Sequence, residues 1–241
     1  MASLIYGRNS VIASLTSSRV IKVIIADNFN DQRILSLINK NKIPVSKVST
    51  AKLNELVHNS HHQGVVAEVK DYQYYDLSTL INEGKKVKLP VIIMLDGIED
   101  PHNLGAILRI ADAFNAVGVV LRRTSQVPLN ATVDKVSTGA INYVKVAQVS
   151  NLNVAIKKLK EAGYWIIATD GNAKDTYTKL DYDMPIVLII GSEANGISAL
   201  VKSNSDFVVK IPMYGHVNSL NASNALSVIL SHITNLKNSP R

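Results

Sequence analysis

The chain of 241 residues is predicted to be an α/β protein, with a small N-terminal α/β domain followed by a larger domain built on a mostly parallel β-sheet. Two observations support this. From Pro90 onward, short runs rich in Val, Ile and Leu alternate with segments of helical periodicity, which is typical of a parallel sheet covered on both faces. Before that point the periodic segments are shorter, and a lysine-rich stretch at 83–88 separates the two parts. We therefore expect a first domain at 1–72, a linker at 73–89 and a second domain at 90–241.

The first domain is predicted to contain three strands and three short helices. The apolar runs that indicate strands lie at 20–26, 44–48 and 64–69. The helical patterns lie at 10–15, 31–40 and 52–57, and Asn9 is expected to cap the first of them. Residues 72–77 and 83–88 are expected to form the joint between the two domains.

The second domain is predicted to alternate strands with helices along its whole length. Strands are expected at 91–95, 118–121, 143–146, 164–168, 186–190 and 207–210, and helices at 103–115, 131–138, 151–161, 197–203 and 219–235. Loops rich in Gly, Asn and Ser follow three of these strands, within 95–109, 189–197 and 211–225. Because the carboxyl ends of parallel strands meet at one edge of a sheet, a ligand site is expected where these loops converge.

Composition narrows the class of protein. The formal net charge is +7, and residues 1–70 alone carry nine Lys or Arg against four Asp or Glu, a net of +5. This asymmetry favours a polyanionic partner such as RNA over an ordinary basic surface. The absence of Cys excludes disulfides, thiol catalysis and most structural zinc sites. The sequence shows neither a long uncharged apolar run nor the pattern of a signal peptide, so a cytoplasmic protein without a membrane span is expected.

Two sequence patterns resemble known functional motifs but give little support for those functions. The segment GSEANGIS at 191–198 has the glycine spacing of a phosphate loop, but Ile197 stands where that motif requires Lys, so a nucleotide triphosphatase is disfavoured. Gly191 and Gly196 instead predict a tight turn and a close backbone approach to a ligand. His58, His61 and His62 are interpreted as a solvated loop in preference to a metal cluster.

Two further sets of side chains each allow two interpretations. Tyr72, Tyr74 and Tyr75 are expected to pack in the joint, although stacking on nucleic-acid bases is the alternative. His102 and His216 lie in the polar loops and are candidate general bases, but most loop histidines only make hydrogen bonds.

Three blocks of sequence resemble the motifs of a known family. DPHNLGAILR (100–109), GSEANGI (191–197) and IPMYGHVNSLNAS (211–223) resemble motifs 1, 2 and 3 of the SpoU class of SPOUT RNA methyltransferases, also called the TrmH family. YGRNSVIASL (6–15) and HQGVVA (62–67) are similar to the N-terminal RNA substrate-binding domain of bacterial large-subunit rRNA guanosine 2′-O-methyltransferases of this class. The resemblance covers nearly the whole chain.

The resemblance implies both a fold and an activity. It implies a C-terminal trefoil knot, which general topology rules would not predict, and a homodimer whose surface the segment 219–235 helps to form. The implied reaction moves a methyl group from S-adenosyl-L-methionine to a ribose 2′-hydroxyl of RNA, most simply a guanosine of 23S rRNA, without a metal ion.

The resemblance also assigns site residues. The implied catalytic residues are Asn103, Arg109, Glu193, Ser219 and Asn221. Arg109 is expected to converge with Asn103 on one pocket and to hold the 2′-oxygen or the adjacent phosphate. Glu193 is expected to orient Arg109 or to accept a proton. The implied cofactor-binding residues are Thr169, Asp170, Gly171, Gly191, Gly196, Ile211 and Leu220.

Other functions remain open at this point. A tRNA ribose methyltransferase of the same class would use the same residues, and an antibiotic-resistance methyltransferase would act on another rRNA nucleotide. The basic first domain and the short tail after residue 236 favour rRNA. A non-catalytic RNA-binding or ribosome-assembly protein is the alternative from another class, and the presence of Asn103, Arg109 and Glu193 argues against it.

Overall fold

The structure, a computed structural model, describes residues 3–58 and 60–238. The chain divides into two compact units. The first contains the described part of Met1–Gln73 together with Pro128–Tyr143, and the second contains Tyr74–Val127 and the described part of Val144–Arg241.

The first unit is built on a four-stranded sheet with the order β1-β4-β2-β3. Its elements are β1 (Ser3–Tyr6), α1 (Arg8–Thr16), β2 (Val20–Ala26), α2 (Gln32–Lys40), β3 (Val45–Val48), α3 (Thr50–Val57) and β4 (Val65–Val69). Strands β2 and β3 are parallel, whereas β4 pairs antiparallel with β1 and β2. The three predicted strands and three predicted helices are confirmed.

Three local predictions in the first unit were wrong. Strand β1 was not predicted, and α1 begins at Arg8, so Asn9 lies inside the helix and Gly7 occupies the capping position. His62 is not part of a solvated loop. It is only 2% exposed, its Nε2 lies 2.9 Å from Oδ1 of Asn54, and its Nδ1 accepts a hydrogen bond of 3.0 Å from the backbone N–H of Gly64.

Residues 128–143 pack as part of the first unit although the sequence suggested a place in the second domain. This segment contains α6 (Ala131–Val136). Asp134 in it is fully buried, and the Tyr72 hydroxyl donates a 3.2 Å hydrogen bond to its carboxylate. The Arg19 guanidinium lies 4.1 Å from the centre of the Tyr72 ring and 3.8 Å from the Asp134 carboxylate, and donates to Asn142 at 2.6 Å. Burial raises the pKa of Asp134 to about 6. For Tyr72, the packing role is confirmed.

The second unit is built on a seven-stranded, wholly parallel sheet with the order β7-β6-β5-β10-β8-β11-β9. Its strands are β5 (Val91–Asp96), β6 (Gly118–Arg122), β7 (Val146–Val149), β8 (Trp165–Thr169), β9 (Asp175–Thr176), β10 (Ile186–Gly191) and β11 (Phe207–Lys210). The predicted parallel α/β architecture is confirmed, and the two-residue β9 at one edge is an addition to it.

Helices of the second unit cover both faces of this sheet. They are α4 (Leu77–Gly84), α5 (Pro101–Ala113), α7 (Leu152–Glu161), α8 (Ala199–Ser203) and α9 (Ala222–Asn238). Helices α4, α7 and α8 share one core cluster with β5 and β10 residues such as Ile92 and Val187. Helices α5 and α9 contact each other and pack against the sheet. Within 3–58 and 60–238, no helix is long and apolar enough to cross a bilayer.

Helix α4 lies within the segment at 73–89 that the sequence suggested as a linker, and it was not predicted. Its apolar residues Leu77, Leu80 and Ile81 are spaced for one helical face, and all three contribute to the core cluster. The lysine-rich run that begins at residue 85 follows directly on the end of this helix.

Candidate active site

The loop after β5 places Asn103 in the first turn of a helix. Gly97, with φ of +84°, turns the chain out of the strand. The Asp100 carboxylate accepts a 2.8 Å hydrogen bond from the backbone N–H of His102, and Pro101 occupies the first helical position. Helix α5 therefore begins two residues earlier than predicted, and Asn103 is held at the carboxyl edge of the sheet.

The turn after β10 folds back on its own backbone. Ser192 and Gly196 exchange backbone hydrogen bonds of 3.2 and 2.9 Å, and Gly196 has φ of +62°. A Cβ atom on Gly191 would lie 2.2 Å from the carbonyl carbon of Gly196. The predicted tight turn is confirmed, but the backbone that approaches Gly191 so closely belongs to the turn itself.

The loop after β11 ends at Asn221, which caps helix α9. Oδ1 of Asn221 accepts hydrogen bonds from the backbone N–H of Ser223 at 2.9 Å and from its hydroxyl at 2.6 Å. The predicted helix start at residue 219 was therefore wrong. Ser219 and Leu220 stay in the loop and remain exposed.

Side chains from the three loops form one hydrogen-bond network, which we call the Asn–Glu–Asn network. The Asn103 amide donates to Oε1 of Glu193 at 3.1 Å, and the Asn221 amide donates to Oδ1 of Asn103 at 2.8 Å. The Asn221 amide also donates to Glu193. Two amides from distant parts of the sequence thus fix the position of one carboxylate.

Two cavities open on either side of the turn at 191–197. The first has a volume of about 350 Å³ and is lined by Asn103 and by residues of the loop after β5. The second has a volume of about 330 Å³. Both are lined by Ser192, Glu193 and Gly196, so the turn forms the wall between them.

The second cavity brings together residues from three loops and from helix α9. All seven predicted cofactor-binding residues line it, namely Thr169, Asp170, Gly171, Gly191, Gly196, Ile211 and Leu220. Ser219 lines it too. A hydrogen bond from Lys202 lowers the pKa of Asp170, which favours a carboxylate at this wall.

Arg109 is a predicted site residue that lies apart from the Asn–Glu–Asn network and from both cavities. Its side chain is exposed, lines neither cavity, and makes no hydrogen bond or ion pair with any residue that the structure describes. Six residues of α-helix correspond to about 600° of rotation and about 9 Å of rise. Arg109 therefore lies about 120° around the helix from Asn103, and the expected convergence of the two within one chain, with Glu193 orienting Arg109, was wrong.

Asp96 is a structural residue of the site that the sequence prediction missed. Its buried carboxylate accepts from Arg122 at 2.8 Å and from the backbone N–H of Ser198 at 2.9 Å. This joins β5, β6 and the turn after β10 beneath the first cavity. The signal in the sequence was an acidic residue directly after a run of five apolar ones, since a carboxylate in such a position needs partners.

Comparison with known proteins identifies the family. Residues 90–231 match the SpoU rRNA Methylase family, and residues 4–75 match the family described as RNA 2′-O ribose methyltransferase substrate binding. A Staphylococcus saprophyticus protein described as a TrmH family tRNA/rRNA methyltransferase is 43% identical over 239 residues, covering 97% of this chain and 96% of that protein. The protein YacO of Bacillus subtilis, with the same description, is 40% identical over 97% of this chain and 96% of its own length.

Solved structures share the fold. The SpoU methyltransferase AviRb from Streptomyces viridochromogenes, in complex with AdoMet, superposes with a TM-score of 0.84 at 22% identity, covering 100% of this chain and 92% of that one. An AdoMet-bound rRNA methyltransferase from Sinorhizobium meliloti gives a TM-score of 0.81 at 22% identity, covering 99% and 88%. The family matches span most of both units and include the three loops that build the site. The resemblance seen in the sequence is confirmed, and the chain belongs to the SpoU rRNA methylase family.

Proposed function

We propose that this chain transfers a methyl group from S-adenosyl-L-methionine to the ribose 2′-hydroxyl of a guanosine in large-subunit rRNA. One observation carries the proposal. The cavity lined by all seven predicted cofactor residues shares Glu193 with the Asn–Glu–Asn network. A methyl donor in that cavity would lie directly beside a fixed carboxylate and two amides.

The lining of the second cavity suits this cofactor. Apolar side chains such as Ile197, Val209 and Ile229 offer a surface for an adenine ring. The Glu193 carboxylate provides negative charge for the cationic sulfonium and ammonium groups, whereas the Asp170 carboxylate is paired with Lys202. When bound, the cofactor supplies an electrophilic methyl group.

The residues of the chain are proposed to align the acceptor and to stabilise charge on it. An in-line displacement gains most from alignment and from donors placed at the attacking oxygen. Glu193, held by Asn103 and Asn221, can accept the hydrogen bond and the proton of the ribose hydroxyl. Ser219, on the wall of the same cavity, adds a hydroxyl that can donate or accept.

Arg109 enters the proposal through a second subunit. Its planar guanidinium suits the 2′-oxygen or the adjacent phosphate, but in its own chain it does not reach the network. We therefore include the homodimer in the proposal, with the partner subunit's Arg109 completing each site. The exposed apolar residues Val228 and Leu236 on α9 offer surface for such an interface.

RNA is proposed as the substrate on grounds of charge and relatedness. Residues 1–70 carry a net +5, and log affinity for nucleic acid should fall with log salt if these charges contact phosphates. The match at 4–75 to a substrate-binding family supports the same role. The relatives are described for both tRNA and rRNA, so a tRNA methyltransferase is the second candidate.

The test is methyl transfer to defined RNA. Unmodified transcripts of large-subunit rRNA and of tRNAs are incubated with the protein and tritiated S-adenosyl-L-methionine, then digested to nucleosides. We expect 2′-O-methylguanosine from the rRNA transcript. Label only in tRNA would establish the second candidate. Cofactor and RNA binding without transfer to either RNA would point to a non-catalytic RNA-binding protein.

A further inference from the structure

The loop between β11 and α9 has two ends that line the second cavity and a middle that does not. Ile211 at one end and Asn218 to Leu220 at the other are wall residues. Within the described chain, Pro212–Leu220 makes no hydrogen bond, either through backbone or through side chains. The loop is thus tied to the cavity at its ends and is otherwise open to solvent.

Tyr214 stands at the centre of this loop. It is 94% exposed, the highest value among the large hydrophobic side chains that the structure describes, and the next on the same loop is Val217 at 64%. A tyrosine ring buries a large apolar face at small entropic cost when it meets a flat partner. A fully exposed ring beside a candidate cofactor cavity therefore indicates a contact site for a flat ligand.

The chemistry of the loop favours a nucleobase as that ligand. Aromatic side chains that bind single-stranded RNA stack on bases without regard to sequence, because every base has a π-face. Lys210, the last residue of β11 and also on the cavity wall, adds a positive charge suited to a nearby phosphate. A protein partner bound to the same loop would compete with the substrate for the space beside the cavity, so a nucleobase of the substrate is the favoured ligand.

We propose that Tyr214 is a stacking platform for an unpaired RNA base next to the methyl-accepting ribose. The proposal rests on the proposed function, since it assumes an RNA acceptor beside the second cavity. In this arrangement Tyr214 positions the substrate and has no part in the chemical step. Its removal should raise the KM for RNA more than it lowers kcat.

The experiment compares four variants of the full chain, with Tyr214→Phe, Tyr214→Leu and Tyr214→Ala set against the control Val217→Ala. Affinity for an unmodified large-subunit rRNA transcript is measured by fluorescence anisotropy with S-adenosylhomocysteine present. We expect Tyr214→Leu and Tyr214→Ala to weaken binding about 5- to 150-fold, the factor that corresponds to 1–3 kcal/mol of stacking per base. The RNA affinities of Tyr214→Phe and Val217→Ala should stay within about twofold of that of the unaltered protein. Tyr214→Phe keeps an aromatic ring at this position, and Val217→Ala removes no ring.

Two further measurements separate the competing explanations. Calorimetry with S-adenosyl-L-methionine should give the same Kd for all four variants, and sedimentation velocity should give the same mass. If Tyr214→Leu binds RNA as well as Tyr214→Phe does, the contact is merely apolar and the stacking proposal is overturned. A changed mass would assign Tyr214 to an interface between copies, and lost cofactor affinity would assign it to the cofactor.

Failure of the proposed function would look different. If the unaltered protein methylates neither rRNA nor tRNA, the transfer is rejected. The binding series still decides whether Tyr214 stacks on RNA, because anisotropy does not depend on turnover.

Discussion

Gly191→Ala is expected to disturb both cavities by pushing the turn at 191–197 away from β10. The added Cβ would lie 2.2 Å from the carbonyl carbon of Gly196, 2.3 Å from its oxygen and 2.5 Å from the nitrogen of Ile197. Ordinary contact would require these backbone atoms to retreat by about 1 Å. The sheet side cannot yield, because Gly191 is paired in register with Asp96 of β5.

The size of the effect follows from overpacking of a backbone contact. Such changes destabilise by about 1–3 kcal/mol, and in a chain of this length each kcal/mol lowers Tm by roughly 2–4 °C. The same displacement carries Glu193 away from the amides of Asn103 and Asn221, so methyl transfer should fall with stability. Cofactor affinity should fall too, since Gly196 and Ile197 line the second cavity.

Gly163→Ala is the matched control outside both cavities. Its Cβ would meet no atom within 4 Å, but the residue has φ of +89°, so the change costs about 1–2 kcal/mol of backbone strain without displacing any neighbour. Thermal melts with and without S-adenosyl-L-methionine compare the two variants. Gly191→Ala should lose most of the ligand-induced shift in Tm, whereas Gly163→Ala should keep most of it. An unchanged melt and cofactor Kd for Gly191→Ala would refute the steric reasoning.

Three other predictions test separate parts of the molecule. Asn221→Ala should slow methyl transfer about 10- to 100-fold with cofactor affinity kept, because Glu193 loses one of the two amides that position it and a misplaced catalytic group costs up to about 100-fold; a calorimetric loss of cofactor binding would contradict it. Arg109→Ala and Glu193→Ala should each be inactive, yet mixed and refolded together they should recover about a quarter of normal activity, because half the dimers are mixed and each has one intact site. No recovery would place Arg109 in the site of its own chain. Asp134→Asn should remove a pH dependence of the free energy of unfolding. The pKa of Asp134 is about 6 in the folded chain, above the ordinary 3.8, so folding disfavours the ionised carboxylate. The free energy of unfolding of the unaltered protein should therefore fall as pH rises from about 4 through about 6, by up to roughly 3 kcal/mol. Chemical denaturation at several pH values checks this, and parallel profiles for the two proteins would contradict it.

The parallel sheet and the meeting of its loops could be predicted because both depend on short-range patterns. Runs of Val, Ile and Leu marked the strands, and the rule that ligand sites form at the carboxyl edge then placed the three polar loops together. That Asn103, Glu193 and Asn221 meet follows from this rule, although the hydrogen-bond pairing among them does not. The family resemblance, and not the periodicity, supplied the cofactor and the reaction.

What could not be predicted depends on contacts between distant parts of the chain. The polar residues of 128–143 give no sign of pairing with Arg19 and Tyr72, which lie more than fifty residues away. Likewise Gly191 looked like a ligand contact, because a sequence does not show that the turn's own backbone fills the space. Helix α4 was hidden for a simpler reason. Its apolar face is only three residues long and adjoins a polar, lysine-rich segment.

The position of Arg109 has a consequence for the charge of the site. A guanidinium beside Glu193 would form a strong paired contact with its carboxylate and neutralise it. Within the described chain, that carboxylate is instead held by the neutral amides of Asn103 and Asn221. In the proposed reaction, its negative charge would therefore remain available to a cationic cofactor and to the proton of an acceptor hydroxyl. The cation that this reaction also needs would then come with the substrate or from the partner subunit's Arg109, because Arg109 of the same chain is exposed and lies about 120° around α5 from Asn103.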